Sequence, residues 1–353
     1  MDTKYITWSP RYGFAEEELR EAVQKLRQGG LVAFPTETVY GLGGNGLLKE
    51  ASQKIYEAKG RPSDNPLILH IGNMRQLKEI VRYVPEVAKR LAEAFWPGPL
   101  TMIFEKAACV PYETTGGLDT VAVRMPQHTG ALAFLEQAGV PVAAPSANTS
   151  GRPSPTRAEH VKQDLDGKID MIIDGGEVGI GLESTIVDVT GEVPVILRPG
   201  YITWQMLKET AGEVMMDPAL MSAGADERPR APGMKYRHYA PEAKMIVFRG
   251  EPAAVTARIN DVIKGYIHSG TYTAEEIGIL ATKESKGDYP VGQAVAAGSR
   301  KEDTTGKYIY GVLRMFDELH VKIILSESFY ESAQSEAIMN RLLKAAGQQT
   351  EDV

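Results

Sequence analysis

The sequence predicts an α/β protein of two units, a larger one over residues 1–210 and a smaller one over residues 244–353. Short apolar runs of β-type residues alternate with helical patterns and with loops dense in Pro and Gly. That alternation dissolves between Ala211 and Ala243, where AGEVMMDPALMSAGADERPRAPGMKYRHYAPEA keeps no apolar period, and then resumes. At 353 residues the chain also exceeds what a single core usually serves.

Taken in order, the runs of the first unit are LVAFP at Leu31, PLILHI at Pro66, LTMIF at Leu100 and TVAVRM at Thr120. VPVAAP at Val140, DMIIDGG at Asp170, STIVDVT at Ser184 and VPVILRPG at Val193 follow. Runs this short and this apolar predict strands of one large, mostly buried sheet. Residues 211–243 read as a linker. Beyond it, KMIVF, a helix from Pro252 to Ile267, IGILAT and VGQAVAAG begin the second unit. A helix around Thr305 to Leu319, VKIILSE and a last helix near Glu331 to Ala346 complete it.

Hydrophobic residues at 43% and charged residues at 24% are ordinary for a globular protein. The start, MDTKYITWSPRYGF, lacks the basic, apolar and small-residue succession of a signal peptide, and no stretch reaches the length of a membrane span. A cytoplasmic protein without membrane contact is expected. Cys109, the single cysteine, excludes an intramolecular disulfide framework and a thiolate-rich zinc site. A net charge of -7 disfavours holding nucleic acid by bulk electrostatics and leaves a local basic patch open.

GLGGNG, Gly41 to Gly46, has the spacing of a dinucleotide fingerprint, but Asp64 lies in a Pro-rich loop before the next strand, so the segment reads as a Gly-rich turn. No Walker loop, G-x-S-x-G elbow or H-E-x-x-H pair occurs. In FPTETVYGLGGN, Thr36 and Thr38 are either β-edge residues or polar groups offered to a ligand. In KEASQKIYEAKGRPSDNPLILHI, Lys59, Arg61, Asn65 and His70 fall around one loop. Lys59 with Gly60 matches an ordinary helix stop equally well. Arg61, pinned between Gly60 and Pro62, is presented as bidentate recognition of phosphate or carboxylate requires. His70 suits a satisfied core histidine as well as a ligand partner.

Thr120 and Arg124 stand four residues apart in one strand and so share a face. AAPSANTSGRPSPT supplies Ser146, Asn148, Ser150 and Ser154 in a loop suited to hydrogen-bonding phosphate oxygens. Ser184 and Arg198 sit at strand ends, where open α/β sheets tend to bind ligands. Each signal has a bland structural alternative, and their convergence carries the reading.

PTETVYGL, KGRPSDNPL, WPGPLT, GLDTVAVRMP, AAPSANTSG, ESTIVDV, LRPG and APGMKYRHYAP, in this order, closely resemble the long two-domain form of the YrdC-type threonylcarbamoyl-AMP synthase family. The resemblance implies a twisted, open, mixed-sheet catalytic domain and a smaller Rossmann-like C-terminal domain. It implies a nucleotidyltransferase that makes threonylcarbamoyl-AMP and pyrophosphate from L-threonine, bicarbonate or CO2, and ATP, with Mg2+ accompanying the triphosphate. The product would serve a tRNA threonylcarbamoyl transferase that modifies an adenosine of tRNA. Lys59, Arg61, Ser146 and Asn148 carry over as the family's catalytic signature. Thr38, His70, Arg124, Ala144 and Ser184 carry over to threonine, and Arg61, Asn65, Thr120, Ser146, Ser154, Arg198 and Tyr236 to ATP.

The competing readings are a carbamoyl-phosphate-dependent carbamoyltransferase of related fold and a non-catalytic RNA-binding module. The single cysteine disfavours the first and the acidic balance the second. Within the linker, KYRHY framed by Pro232, Gly233 and Pro241 is dense in polar groups for a tether and suggests an active-site lid bearing Tyr236 and His238. A linker whose aromatics only dock is the alternative.

Overall fold

The computed structural model describes residues 2–220, 230–232, 239–330 and 332–353. It is mixed α/β, in one unit of Met1–Ser150 with Ser154–Tyr236 and another of Gly151–Pro153 with Arg237–Val353. In the first unit the strands begin with β1 (Lys4–Thr7), β2 (Val32–Phe34), β3 (Gly41–Asn45), β4 (Ile68–His70), β5 (Leu100–Glu105) and β6 (Thr120–Arg124). They continue with β7 (Val142–Ala143), β8 (Met171–Asp174), β9 (Thr185–Asp188), β10 (Val195–Arg198) and β11 (Met215–Met216). Among the described residues these form one mixed sheet of eleven strands, ordered β1-β8-β2-β3-β7-β4-β6-β5-β9-β10-β11. Every apolar run singled out in this unit is a strand.

One face of the sheet is packed under helices α2 (Lys49–Lys59), α3 (Met74–Ile80), α4 (Glu86–Phe95), α6 (Ala158–Leu165) and α7 (Trp204–Ala211). Leu69, Met102, Val123, Val187 and Ile196 supply the strands' share of that core. The opposite face is packed under α1 (Glu16–Arg27) and α5 (Thr129–Ala138), but only over β1, β2, β7 and β8. Across the remaining strands the described residues form a small cluster of Ile68, Ile103, Ala122, Ile186, Leu197 and Ala231. Half of one sheet face is thus left for polar side chains.

The glycine-rich segment expected as a turn is instead strand β3, buried along its whole length between β2 and β7. None of Gly41, Gly43, Gly44 and Gly46 adopts the left-handed conformation a turn would need. Their value is space: a Cβ on Gly43 would lie 2.9 Å from Val142 Cγ1 and 3.0 Å from Phe34 Cε1. Gly43→Ala is therefore expected to cost about 1–3 kcal/mol by overpacking, read as a lower urea midpoint. An unchanged midpoint would show that Phe34 and Val142 can give way.

β1 and β11 escaped the sequence pattern because β1 buries only Ile6 and β11 is two residues long. β11 pairs with β10, and Ala231 joins the small cluster, so the chain after residue 210 still contributes to the first unit.

The second unit is a parallel sheet of β12 (Lys244–Arg249), β13 (Ile277–Ala281), β14 (Gln293–Ala296), β15 (Ile323–Ser326) and β16 (Thr350–Asp352). Its order is β14-β13-β15-β12-β16, with helices α8 (Pro252–Ser269), α9 (Thr305–Glu318) and α10 (Ser335–Ala345) as crossovers. This is a small doubly wound sheet.

Candidate active site

The period of two along the strands decides which side chains meet on the open half-face. Ile68 pairs with Ala122 and Ala122 with Ile103, while Thr101 pairs with Ile186. His70, Arg124 and Thr101 therefore share the face of the small apolar cluster. Arg198 joins them opposite Ile186, past an irregularity in the β9–β10 register.

Arg124 ends β6 and is 4% exposed. Its Nη2 donates to Glu37 Oε1 at 2.6 Å, its Nη1 to Thr38 Oγ1 at 2.8 Å and its Nε to Gly98 O at 3.3 Å. A guanidinium carries five N–H groups, so a pair remains for a ligand. Glu37 is held in turn by the backbone N–H of Gln127 at 3.1 Å. Thr36 and Thr38 lie just past β2 rather than on it. The Thr36 hydroxyl accepts from the Thr38 and Val39 N–H groups, a turn that fixes Thr38 beneath Arg124.

His70 pairs with Arg124 across β4 and β6 and points its ring edge-on at Phe34, 5.9 Å away. Its Nδ1 donates to Ile68 O at 3.2 Å. Burial first, and then the charge of Arg124, push its pKa down to about 3. The imidazole is therefore neutral at working pH. Between the unfolded value near 6.5 and the folded value of about 3 the unfolded chain binds a proton that the folded one does not, so stability rises with pH across that window and is lost as the solution is acidified. The expected slope from His70 is up to about 1.4 kcal/mol per pH unit. Urea midpoints at stepped pH should show His70→Phe flattening this loss, and equal slopes in both proteins would refute it.

α2 stops at Gly60, left-handed at φ 60 and ψ 37, and turns the chain into the Arg61 loop. Arg61 donates through Nε to Asn65 O at 3.3 Å and through Nη2 to Pro66 O at 3.1 Å. Asn65 is 1% exposed, and its side-chain oxygen has no hydrogen-bond partner among the described residues. An orphan acceptor of this kind costs stability unless a ligand hydroxyl or amine satisfies it. Lys59 is 2% exposed, and its Nζ donates to the carbonyls of Ser146 and Asn148. Lys59 thus ends α2 as a helix stop does, and its ammonium also clamps the loop that carries the serine and asparagine. The Ser150 N–H closes the same loop onto Lys59 O at 2.8 Å.

Ser184 and Thr101 share a hydroxyl–hydroxyl hydrogen bond of 2.7 Å, and Arg198 Nη2 donates to both Ser184 O and Oγ. Ser154 donates to Glu183 Oε1 at 2.6 Å, so toward a ligand its oxygen is an acceptor. Ala144 lies on the site side of the sheet, whereas Ala143 belongs to the helix-covered core. Thr120 shares the face of Arg124 but begins β6, opposite Glu105, about 13 Å away along the strand. Tyr236 and His238 lie outside the described residues. Tyr239, the last residue of KYRHY, is 6% exposed and stacks on Tyr310 at 5.2 Å within the second unit.

Sequence reasoning missed Glu37, Glu183 and Thr101. The signal for Glu37 was present: a carboxylate between two threonines at a strand end, with an arginine at the end of another strand, predicts a pair.

A twisted mixed sheet whose open half-face carries arginines and hydroxyls belongs to the class of α/β proteins that bind small anions at strand ends. Two family models match the chain. One, described as Telomere recombination and covering the Sua5, YciO and YrdC proteins, matches residues 24–200. The other, described as Threonylcarbamoyl-AMP synthase, C-terminal domain, matches residues 202–347. The chain belongs to the threonylcarbamoyl-AMP synthase family. A threonylcarbamoyl-AMP synthase of Bacillus subtilis (strain 168) is 46% identical over 94% of each chain. The crystal structure of P. abyssi Sua5 complexed with L-threonine matches with a TM-score of 0.92 at 44% identity, over 99% of this chain and 100% of that one. E. coli YciO matches with a TM-score of 0.52 at 27% identity, over 56% of this chain and 96% of its own.

Proposed function

We propose that the chain joins L-threonine, bicarbonate or CO2, and ATP into threonylcarbamoyl-AMP, releasing pyrophosphate. The observation that carries this reading is the end-to-end match to a threonine-bound relative, with the buried Arg124 fork on the open face. In the reaction the threonine amine captures the carbon as a carbamate, whose oxygen attacks the α-phosphorus of ATP. The bond to the β-phosphate oxygen breaks and pyrophosphate leaves. Alignment and charge stabilisation are what such a step demands.

Arg124 would hold the threonine carboxylate with its two remaining N–H groups, beside Thr38, Ala144 and Ser184. Arg61 and Arg198 would face the phosphates, with Ser146, while Asn65 and Thr120 would take the nucleoside and Ser154, its proton held by Glu183, would accept from a hydroxyl or amine of the nucleotide. Lys59 and Asn148 would act by shaping the loop around Ser146. Among the described residues no three His, Cys, Asp or Glu side chains gather as a metal site. Mg2+ would enter with the nucleotide substrate, held by phosphate oxygens and water as this ion prefers. No helix of the described residues is long and apolar enough to cross a membrane. We place the protein in the cytoplasm, delivering its adenylate to a tRNA-modifying transferase, with any tRNA contact of its own confined to a local patch.

Pyrophosphate release should require threonine, bicarbonate and ATP together. Release without threonine, or carbamoyl transfer from carbamoyl phosphate, would overturn the reading. Serine should replace threonine poorly, with kcat/KM about 10–200-fold lower, because Ala144 offers the γ-methyl an apolar contact that serine cannot fill. Equal values for the two amino acids would remove Ala144 from the pocket.

A further inference from the structure

The second unit contains a cavity of about 490 Å³ that the proposed reaction does not use. It opens beyond the carboxyl ends of β12 and β15. From β12 the chain crosses through α8 to β13 on one side, and from β15 it crosses through α10 to β16 on the other. Each of these crossovers passes the neighbouring strand, and open α/β sheets bind ligands outside the carboxyl ends of such strands. The volume lies in the range of about 300–1,000 Å³ that small ligands occupy.

The lining is chemically specific. Gly250, Glu251 and Pro252 bring the N-terminal end of α8 to the cavity, and Thr305 brings that of α9. Helices of 18 and 14 residues thus direct two positive dipole ends at one space. Arg300 adds a guanidinium whose Nη2 is paired with the buried Glu327 at 2.7 Å. Its buried Nε has no hydrogen-bond partner among the described residues. Tyr289 donates to the other Glu327 oxygen at 2.7 Å, so Glu327 anchors Arg300 rather than facing the cavity. Thr305, 2% exposed, and Ser328, 7% exposed, line the cavity with hydroxyls that bond to no described side chain or backbone group. Glu251 is the one acidic side chain in the lining and is exposed, and Val353, the last residue of the chain, also borders the cavity. Phe329, with the Arg300 guanidinium 6.0 Å from its ring, and the half-exposed Tyr330 supply aromatic surface.

We propose that this cavity binds a phosphate-bearing small molecule of nucleotide size. The phosphate sits between the two helix ends, the Thr305 and Ser328 hydroxyls and Arg300, and a flat ring lies against Tyr330. Two convergent dipoles, a guanidinium and unpartnered buried hydroxyls together select an anion with several oxygens. FRGEPAA after β12 lacks a phosphate-binding glycine pattern. Here the donors come from two helices and a side chain instead of one Gly-rich loop.

Hydrogen exchange on the full chain locates the site independently of catalysis. Added ADP should slow exchange in segments 250–255 and 299–306, inorganic phosphate should do so more weakly, and adenosine alone should not. The double variant T305A/S328A, which leaves the Arg300–Glu327 pair intact, should weaken the ADP effect about tenfold or more. Any nucleotide effect on segments 36–40 and 59–65 should survive in that variant, which separates this site from the proposed reaction site. Unchanged exchange in both second-unit segments up to millimolar ADP would overturn the proposal. So would full protection by adenosine alone, or an undiminished ADP effect in the double variant.

Discussion

Arg61→Ala is expected to reduce pyrophosphate release by about 10³-fold or more while the protein stays folded, because charge aimed at a transferring phosphoryl group carries effects of that size. The sequence placed this guanidinium in a stiff loop, and the structure adds how the loop is held. Arg61 donates to the carbonyls of Asn65 and Pro66, so the side chain proposed to face phosphate also shapes the turn that carries Asn65. Both roles predict a loss in kcat larger than any rise in the KM for threonine, since nothing places Arg61 against the amino acid. Arg61→Lys should rescue little, because one ammonium cannot reproduce a fork that serves two carbonyls and an anion together. Activity and far-ultraviolet circular dichroism on the same samples decide the matter. A folded variant with normal turnover would remove Arg61 from the phosphates.

The strands of this protein were legible where residues of one kind crowd together. LVAF, LTMIF and TVAVR are almost wholly buried and apolar over most of their length, which is the pattern of a largely covered sheet. β3 was illegible because its glycines are there to make room for Phe34 and Val142, and nothing in GLGGN itself records those neighbours. The site was legible residue by residue but not as pairs. Lys59 stood out beside Arg61, yet its attachment to the carbonyls of Ser146 and Asn148 spans nearly ninety positions of chain and is fixed only by the fold. Ala143 and Ala144 are neighbours in AAPSANTSG, and the strand period sends them to opposite faces. In the second unit FRGEPAA offers no glycine-rich loop that would present phosphate donors from one segment. The cavity there collects them from two helix ends and a loop, a pattern that sequence alone does not display.

Arg124→Met is expected to abolish synthesis and also to destabilise the protein by about 3–5 kcal/mol, the usual result of stripping one partner from a buried ion pair. Side-chain exposures of 4% for Arg124 and 11% for Glu37 place this pair in that regime. Losing the arginine leaves the buried Glu37 carboxylate with the Gln127 N–H but no counter-charge, and it leaves the Thr38 hydroxyl with Thr36 alone, among the described residues. The double variant E37Q/R124M separates the two consequences. A neutral amide at position 37 no longer needs a counter-charge, so the double variant should recover most of the lost stability. It should recover none of the activity if Arg124 meets the substrate carboxylate. Glu37→Gln alone keeps the guanidinium but loosens its orientation, so its main effect should be a rise in the KM for threonine with a smaller change in kcat. Urea titrations of the four proteins give the coupling energy, and steady-state assays of the folded ones give the split. Additive stability losses would mean that the pair is not coupled, and an active double variant would remove Arg124 from the threonine site.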